Sequence, residues 1–236
     1  MQNCGIAFTL HFRSDFKVVF GMFTGFSPET IDFLWGIRMN NNREWFLEHK
    51  KDYVNHLYEP MKALGKDLFR LFADKPGNLL KVSRIYRDAR MHHDTPYKES
   101  LWICIRRDVE WWAENPCLFL EICPEGVSYG LIWWHPRTSM LEDLRKAIAA
   151  KPKEFLKLIA DTEKSTGIPI SAELYKRPKE APEPKLAPFY AWKGKLSCVV
   201  EEPVTEDLFG PALGQRAAEF LEKLIPLYEY FNKFQA

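Results

Sequence analysis

No stretch of this 236-residue chain approaches the ~18–20 uninterrupted apolar residues that a membrane-spanning helix requires, so a helical membrane protein is not expected. Cysteine is scarce. Cys4, Cys104, Cys117, Cys123 and Cys198 form no CxxC pair and leave an odd number, which fits neither a disulfide framework nor a four-cysteine zinc site. Reduced thiols in a cytoplasmic protein are the expectation. The first residues also lack the basic and apolar regions of a secretory signal. Neither GxxxxGK[ST] nor GxGxxG is present, nor GxSxG, nor HExxH, which disfavours the standard nucleotide folds, serine hydrolases and zincins. No cofactor is therefore expected. An excess of charge of one sign is missing too, with 33 Lys and Arg against 32 Asp and Glu, so any charged site must be local.

What the chain does have is apolar mass, at 46%, and eight tryptophans, enough for a sizeable core. Over residues 1–21, Ile6, Phe8, Leu10, Phe12, Phe16, Val18 and Phe20 alternate with polar positions, a period of two that favours an extended strand. The phenylalanines also recur every four residues, which leaves helical spacing open. This segment reads as an N-terminal extension, strand-like or preceding a native start at Met22, and residues 22–236 as one domain.

Ser27-Pro28 opens a first helix through Ile31, Leu34, Trp35 and Arg38. Asn41 or Asn42 caps a second that runs through Trp45, Phe46, His49, Tyr53 and Leu57 until Pro60 interrupts it. A third carries Met61, Leu64, Leu68 and Phe72 and ends at Asp74-Lys-Pro-Gly77. The middle of the chain changes period. Leu101–Ile105 and Cys117–Cys123 are short apolar runs, and Pro124-Glu-Gly126 folds the second back into Val127–Trp134 as a hairpin. Helices return at Ser139, with Glu142 completing a capping box, and Pro152 splits that stretch. Residues 169–188 read as an ordered basic surface loop, and a last helix begins near Pro211 with a kink at Pro226. The expected fold is α+β: an antiparallel sheet from the middle of the chain packed by N-terminal, central and C-terminal helices.

Between Lys81 and Arg107 seven basic residues face three acidic ones, whereas Val199–Ala236 holds three basic and seven acidic. The basic region is the candidate site. Arg84 to Lys98 packs three arginines, two aspartates, two histidines and a lysine into fifteen residues, a density that is expensive to bury without purpose. If extended, the segment puts Arg84, Asp88, Arg90, His92 and Asp94 on one face; if helical, Arg84, Arg87 and Asp88. Either places arginine forks beside carboxylates, and the same forks match a phosphate bidentately. Ion pairing that merely fixes one segment against another is the bland alternative. Metal binding by His92, His93, Asp94 and His135 is disfavoured, because neighbouring histidines point opposite ways on a strand. Asn40–Phe46 is a second patch, in which the asparagines cap a helix or, with Arg43, Trp45 and His49, surround a ligand. Of Trp133 and Trp134, strand alternation sends one to the core and lets the other line a groove.

Met22-Phe-Thr-Gly-Phe-Ser, Asn41-Asn-Arg-Glu-Trp-Phe46, Tyr53, Arg84-Ile-Tyr-Arg-Asp-Ala-Arg90, Asp94-Thr-Pro-Tyr-Lys98 and Lys176-Arg-Pro178 together resemble the bacterial and fungal family called domain of unknown function 2461. The resemblance runs from about Met22 to the C-terminus. It implies a single intracellular domain defined by the Arg84–Lys98 motif, and it carries no catalytic residue across. Family members often have an aromatic and a lysine or serine where this chain has Met91-His92-His93, which weakens a catalytic role for the histidines.

The functional expectation is an Arg-rich pocket for a small anionic, phosphate-bearing ligand. Arg84, Arg87 and Arg90 would hold the anion, with Lys98, Tyr97, Asn42, Arg43 and Trp45 contributing and no metal. Asp88 and Asp94 are the candidates for orienting the arginines or acting as a base; whether a reaction occurs is left open. The alternative is a non-enzymatic module that binds nucleic acid or protein through a basic strip and exposed tryptophans.

Overall fold

The computed structural model describes residues 21–88 and 90–234. The period-two segment before Gly21 lies outside them. Helix α1 (Pro28–Met39) starts where Ser27-Pro28 predicts. After Asn42, whose side chain accepts the Trp45 amide at 3.0 Å, the chain runs through α2 (Arg43–Glu48), α3 (Lys50–Asp52), a π-helical stretch (Tyr53–Tyr58) and α4 (Glu59–Phe69).

Pro60 does not interrupt this run, contrary to the expectation from sequence. It sits in the first turn of α4, and the wider π turn precedes it. Proline has no N–H to offer the previous turn. The His56 carbonyl instead accepts the Thr30 hydroxyl at 2.5 Å, and Thr30, fully buried, accepts the Ser27 amide at 3.1 Å. One side chain of α1 thus supplies a donor to a carbonyl in the turn before the proline. At the far end of α4, the buried Asp67 carboxylate accepts the Met22 and Phe23 amides at 3.1 and 2.9 Å, fixing the first described residues against the helix.

The sheet comprises β1 (Asn78–Val82), β2 (Leu101–Arg107), β3 (Cys117–Cys123), β4 (Gly126–Trp133), β5 (Ser171–Leu174) and β6 (Trp192–Pro203). Their order is β1-β2-β3-β4-β6-β5, and every pairing is antiparallel. Cys123 pairs with Gly126, so Pro124-Glu125 forms the tight turn expected there. The sequence analysis does not anticipate β1 or β6, and the expected loop at 169–188 contains a third strand, β5, before the short α7 (Ala187–Tyr190). Between β4 and β5, α5 (Thr138–Ala150) and α6 (Pro152–Thr166) meet at Lys151, as Pro152 predicts. The Ser139 capping box does not form: Ser139 lies inside α5, whose cap, Arg137, comes two residues earlier. Helix α8 (Ala212–Phe231) carries Pro226 within it.

Alternation divides the sheet into two unlike faces. Ile103, Leu118, Leu120, Leu131 and Trp133 point into the main core beneath α4 and α8. The opposite face carries Trp102, Cys104, Cys117, Phe119 and Ile132, a second and smaller apolar cluster. The arrangement is the expected α+β domain, with the basic segment between β1 and β2.

Candidate functional site

Ser83 closes the β1–β2 pairing: its amide donates to the Trp102 carbonyl at 2.8 Å, and its hydroxyl accepts the Trp102 amide at 3.0 Å. The chain beyond Ser83 forms neither the single-faced strand nor the helix considered from sequence. It is a narrow hairpin bridged at Tyr86 and Tyr97, with the Arg87 amide donating to Pro96 at 2.8 Å and the Lys98 amide to Ile85 at 2.7 Å. Asn41 clamps its stem, accepting the Tyr97 amide and donating to the Tyr97 carbonyl, both at 2.9 Å. The Tyr97 ring stacks on Phe46 at 4.3 Å between centroids.

Between this stem, α1 and the open face of β3 and β4 lies a hollow of about 350 Å3. Arg38, Arg87 and Lys98 bring cations to it, Glu99 and Glu121 carboxylates, and Ser100 and Ser128 hydroxyls. Glu99 bridges the two arginines, accepting from Arg38 Nε at 2.8 Å and from Arg87 Nη2 at 3.5 Å, the loose end of an ion pair. Arg87 Nη1 also donates to Thr95 at 3.1 Å. Arg38 is held further by both carboxylate oxygens of Glu125 and lies over the Trp35 ring at 4.9 Å. Hydrogen bonding from Arg38 holds the Glu125 carboxyl down to about 2. Ser100 donates to Glu121 at 2.6 Å.

Lys98 differs from its neighbours. Its ammonium donates to the Arg84 carbonyl at 2.9 Å and lies 5.5 Å from the Trp102 ring centre, and among the described residues no carboxylate pairs with it. Burial pushes its pKa below the ordinary lysine value; Glu121 opposes the shift, and Arg87 and Arg84 add to it.

The hollow thus brings together Arg87 and Lys98 of the residues singled out from sequence. Arg84 is exposed and contributes its carbonyl. Arg90 is 88% exposed and belongs to the hairpin tip, where Asp88 takes its Nε at 3.0 Å and its Nη2 at 2.6 Å. That pairing lowers the Asp88 pKa and raises that of Arg90. Asp94 is exposed, as are His92 and His93. Tyr97 is buried under Phe46, Asn42 caps α2, and Arg43 is exposed. Trp45 stacks on His49 at 4.0 Å and lines a separate pocket of about 340 Å3 with Glu29, Asp32 and Asp52.

Residues 29–230 match the family described as conserved hypothetical protein (DUF2461). The chain belongs to that family. No curated protein matches it. The span shared with DUF2461 contains every residue that lines the hollow, including Arg38, Glu99, Ser100 and Glu121, which sequence reasoning missed. Glu121 had left one signal, as the single charge within the apolar run Cys117–Cys123.

Proposed function

We propose that this DUF2461 protein binds a small anionic, phosphate-bearing ligand in the hollow formed by Arg38, Arg87 and Lys98. The observation that carries this reading is Lys98, a half-buried ammonium that lines the hollow with Arg38 and Arg87 and donates to the Arg84 carbonyl. Partly burying an ammonium that no carboxylate pairs with directly costs free energy, and an arriving oxyanion supplies a paired counter-charge. Arg87, held to Glu99 at 3.5 Å, is free to share its fork with the same anion. Glu99 and Glu121 stand among the cations that line the hollow, and Glu125 pairs with Arg38 at its side. Such interleaving suits a small-molecule site better than a strip that tracks a nucleic-acid backbone.

Calorimetric titration with inorganic phosphate and glycerol phosphate tests the proposal. Wild type should bind, and Lys98→Met should weaken binding by roughly tenfold or more, the worth of one charge-assisted hydrogen bond. Absence of binding in wild type, or unchanged affinity in Lys98→Met, overturns it. Single-stranded oligonucleotides binding more tightly than either phosphate, with a steep salt slope, would transfer the site to the nucleic-acid reading.

A further inference from the structure

The open face of the sheet holds a second, smaller pocket of about 180 Å3 whose walls are Trp102, Trp112 and Trp134 and whose floor includes Cys104, Phe119 and Ile132. Trp112 and Trp134 are 36% and 41% exposed, an unusual outlay of aromatic surface away from the core. Each of the three indoles carries a cation. Lys98 lies 5.5 Å from the Trp102 ring centre, Arg106 5.9 Å from that of Trp112, and Lys195 4.9 Å from that of Trp134.

This pocket adjoins the charged hollow. Glu121 lines both, and it is the cross-strand partner of Trp102 in the β2–β3 register. Lys98 spans the junction, its ammonium in the hollow and also within reach of the Trp102 face. An apolar, indole-walled cleft therefore opens beside the Lys98 ammonium.

We infer that the ligand is an aromatic phosphate, an anion borne on a flat ring system, with the ring among Trp102, Trp112 and Trp134 and the anion at Lys98 and Arg87. This deepens the anion-binding proposal and rests on it. Size argues for a ring rather than a larger body, because drug-sized ligands occupy pockets of ~300–1,000 Å3 and this one holds only a fragment. Shape argues the same way: indole faces stack on flat rings, and every nucleobase or aryl group has a face to offer. Charge fits as well, since the rim of cations at Lys98, Arg106 and Lys195 complements an anionic tail and leaves the apolar floor for the ring.

The test compares four probes on the full chain by calorimetry and tryptophan fluorescence: inorganic phosphate, glycerol phosphate, phenyl phosphate and adenosine monophosphate. The ring-bearing phosphates should bind about tenfold or more tightly than glycerol phosphate and perturb tryptophan emission. Trp112→Ala and Trp134→Ala remove exposed side chains; both should lose most of that preference while keeping the affinity for inorganic phosphate. If ringed and ringless esters bind alike, or if the preference survives both substitutions, the ring subsite is overturned while the anion site stands. If no phosphate binds but adenosine, added as a fifth and uncharged probe, does, the anion site fails and the combined ligand with it. If none of these binds, both fall.

Discussion

Replacing Thr30 by valine tests whether one hydroxyl keeps Pro60 inside a helix. Valine matches threonine in shape, so the change creates no cavity; it removes the donor to His56 at 2.5 Å and the acceptor of the Ser27 amide at 3.1 Å. Thr30 is fully buried, and valine offers no replacement at the His56 carbonyl. Leaving a buried polar group unpaired costs ~1–3 kcal/mol. The Ser27 end is half-buried and can recruit water, so the net loss should be about 2 kcal/mol. For a chain of this length that corresponds to a fall in Tm of ~4–8 °C. Thr30→Ser keeps the hydroxyl and gives up one methyl, worth ~0.8 kcal/mol. The decisive arm is Pro60→Ala, which restores a backbone N–H to the turn after His56. In that background the Thr30→Val penalty should shrink by about 1 kcal/mol, a coupling measurable by urea unfolding of the four proteins in a double-mutant cycle. Equal penalties in both backgrounds would refute the reasoning, as would Thr30→Ser losing as much as Thr30→Val.

Three further perturbations address the site and its supports. Glu99→Gln removes the carboxylate shared by Arg38 and Arg87, so phosphate should bind a few-fold more tightly while stability falls by ~1 kcal/mol; weaker binding would contradict a competition between Glu99 and the ligand. Gly36→Ala drives a methyl into the indole of Trp45, where no space exists, and overpacking of this kind costs ~1–3 kcal/mol. Its signature is a change in near-ultraviolet circular dichroism, and an unchanged spectrum with unchanged stability would show that Trp45 is not seated against α1. Glu125, held down to about 2 by Arg38, contributes stability that is present above its ordinary value of 4.5 and is lost as pH falls through 2. Wild type should therefore converge on Glu125→Gln in urea midpoints between pH 5 and 2, from a starting gap below ~1 kcal/mol because the pair is largely exposed; a gap that stays constant across that range would disprove the linkage.

Elements whose start and stop signals are local could be read from the sequence. Ser27-Pro28 opens α1, Asn42 caps α2, and Pro124-Glu-Gly126 turns β3 into β4, each through hydrogen bonds within a few residues. Strand β6 carried its pattern too, since Trp192, Gly194, Leu196 and Cys198 are buried and alternate with exposed or half-buried neighbours, but a proline-rich stretch just before it masked the signal. Strand β5 had no such pattern: three of its four residues are exposed, and only pairing with β6 makes it a strand. Pro60 misleads because it falls in the first turn of α4, where a missing N–H is tolerated, and the π turn before it continues the helical run. The candidate site divides the same way. Charge density located Arg87 and Lys98, whereas Arg38, which meets Glu99 across 61 residues, and Glu121, one strand further on, become neighbours only when the sheet assembles.

The hairpin separates its charges into two kinds, and the difference decides what they are for. At the tip, Asp88 and Arg90 pair across two residues in solvent, which stabilises a turn and requires nothing else. At the stem, Arg38, Glu99 and Arg87 already tie α1 to the hairpin, so a purely architectural role is complete without Lys98. Lys98 adds a half-buried ammonium that no carboxylate pairs with among the described residues, and burial opposes its charge. Its depressed pKa means that the unfolded chain binds this proton more readily than the folded one, so the penalty is full at neutral pH and fades as pH rises towards the ordinary value of 10.5. Lys98→Met keeps the length of the stem and removes the charge. In the absence of ligand it should therefore stabilise the protein, and its advantage over wild type should narrow in alkaline solution. A residue that weakens the empty fold and strengthens the bound one is serving a ligand. A destabilised Lys98→Met protein would instead return Lys98 to the framework, with its bond to the Arg84 carbonyl as its whole purpose.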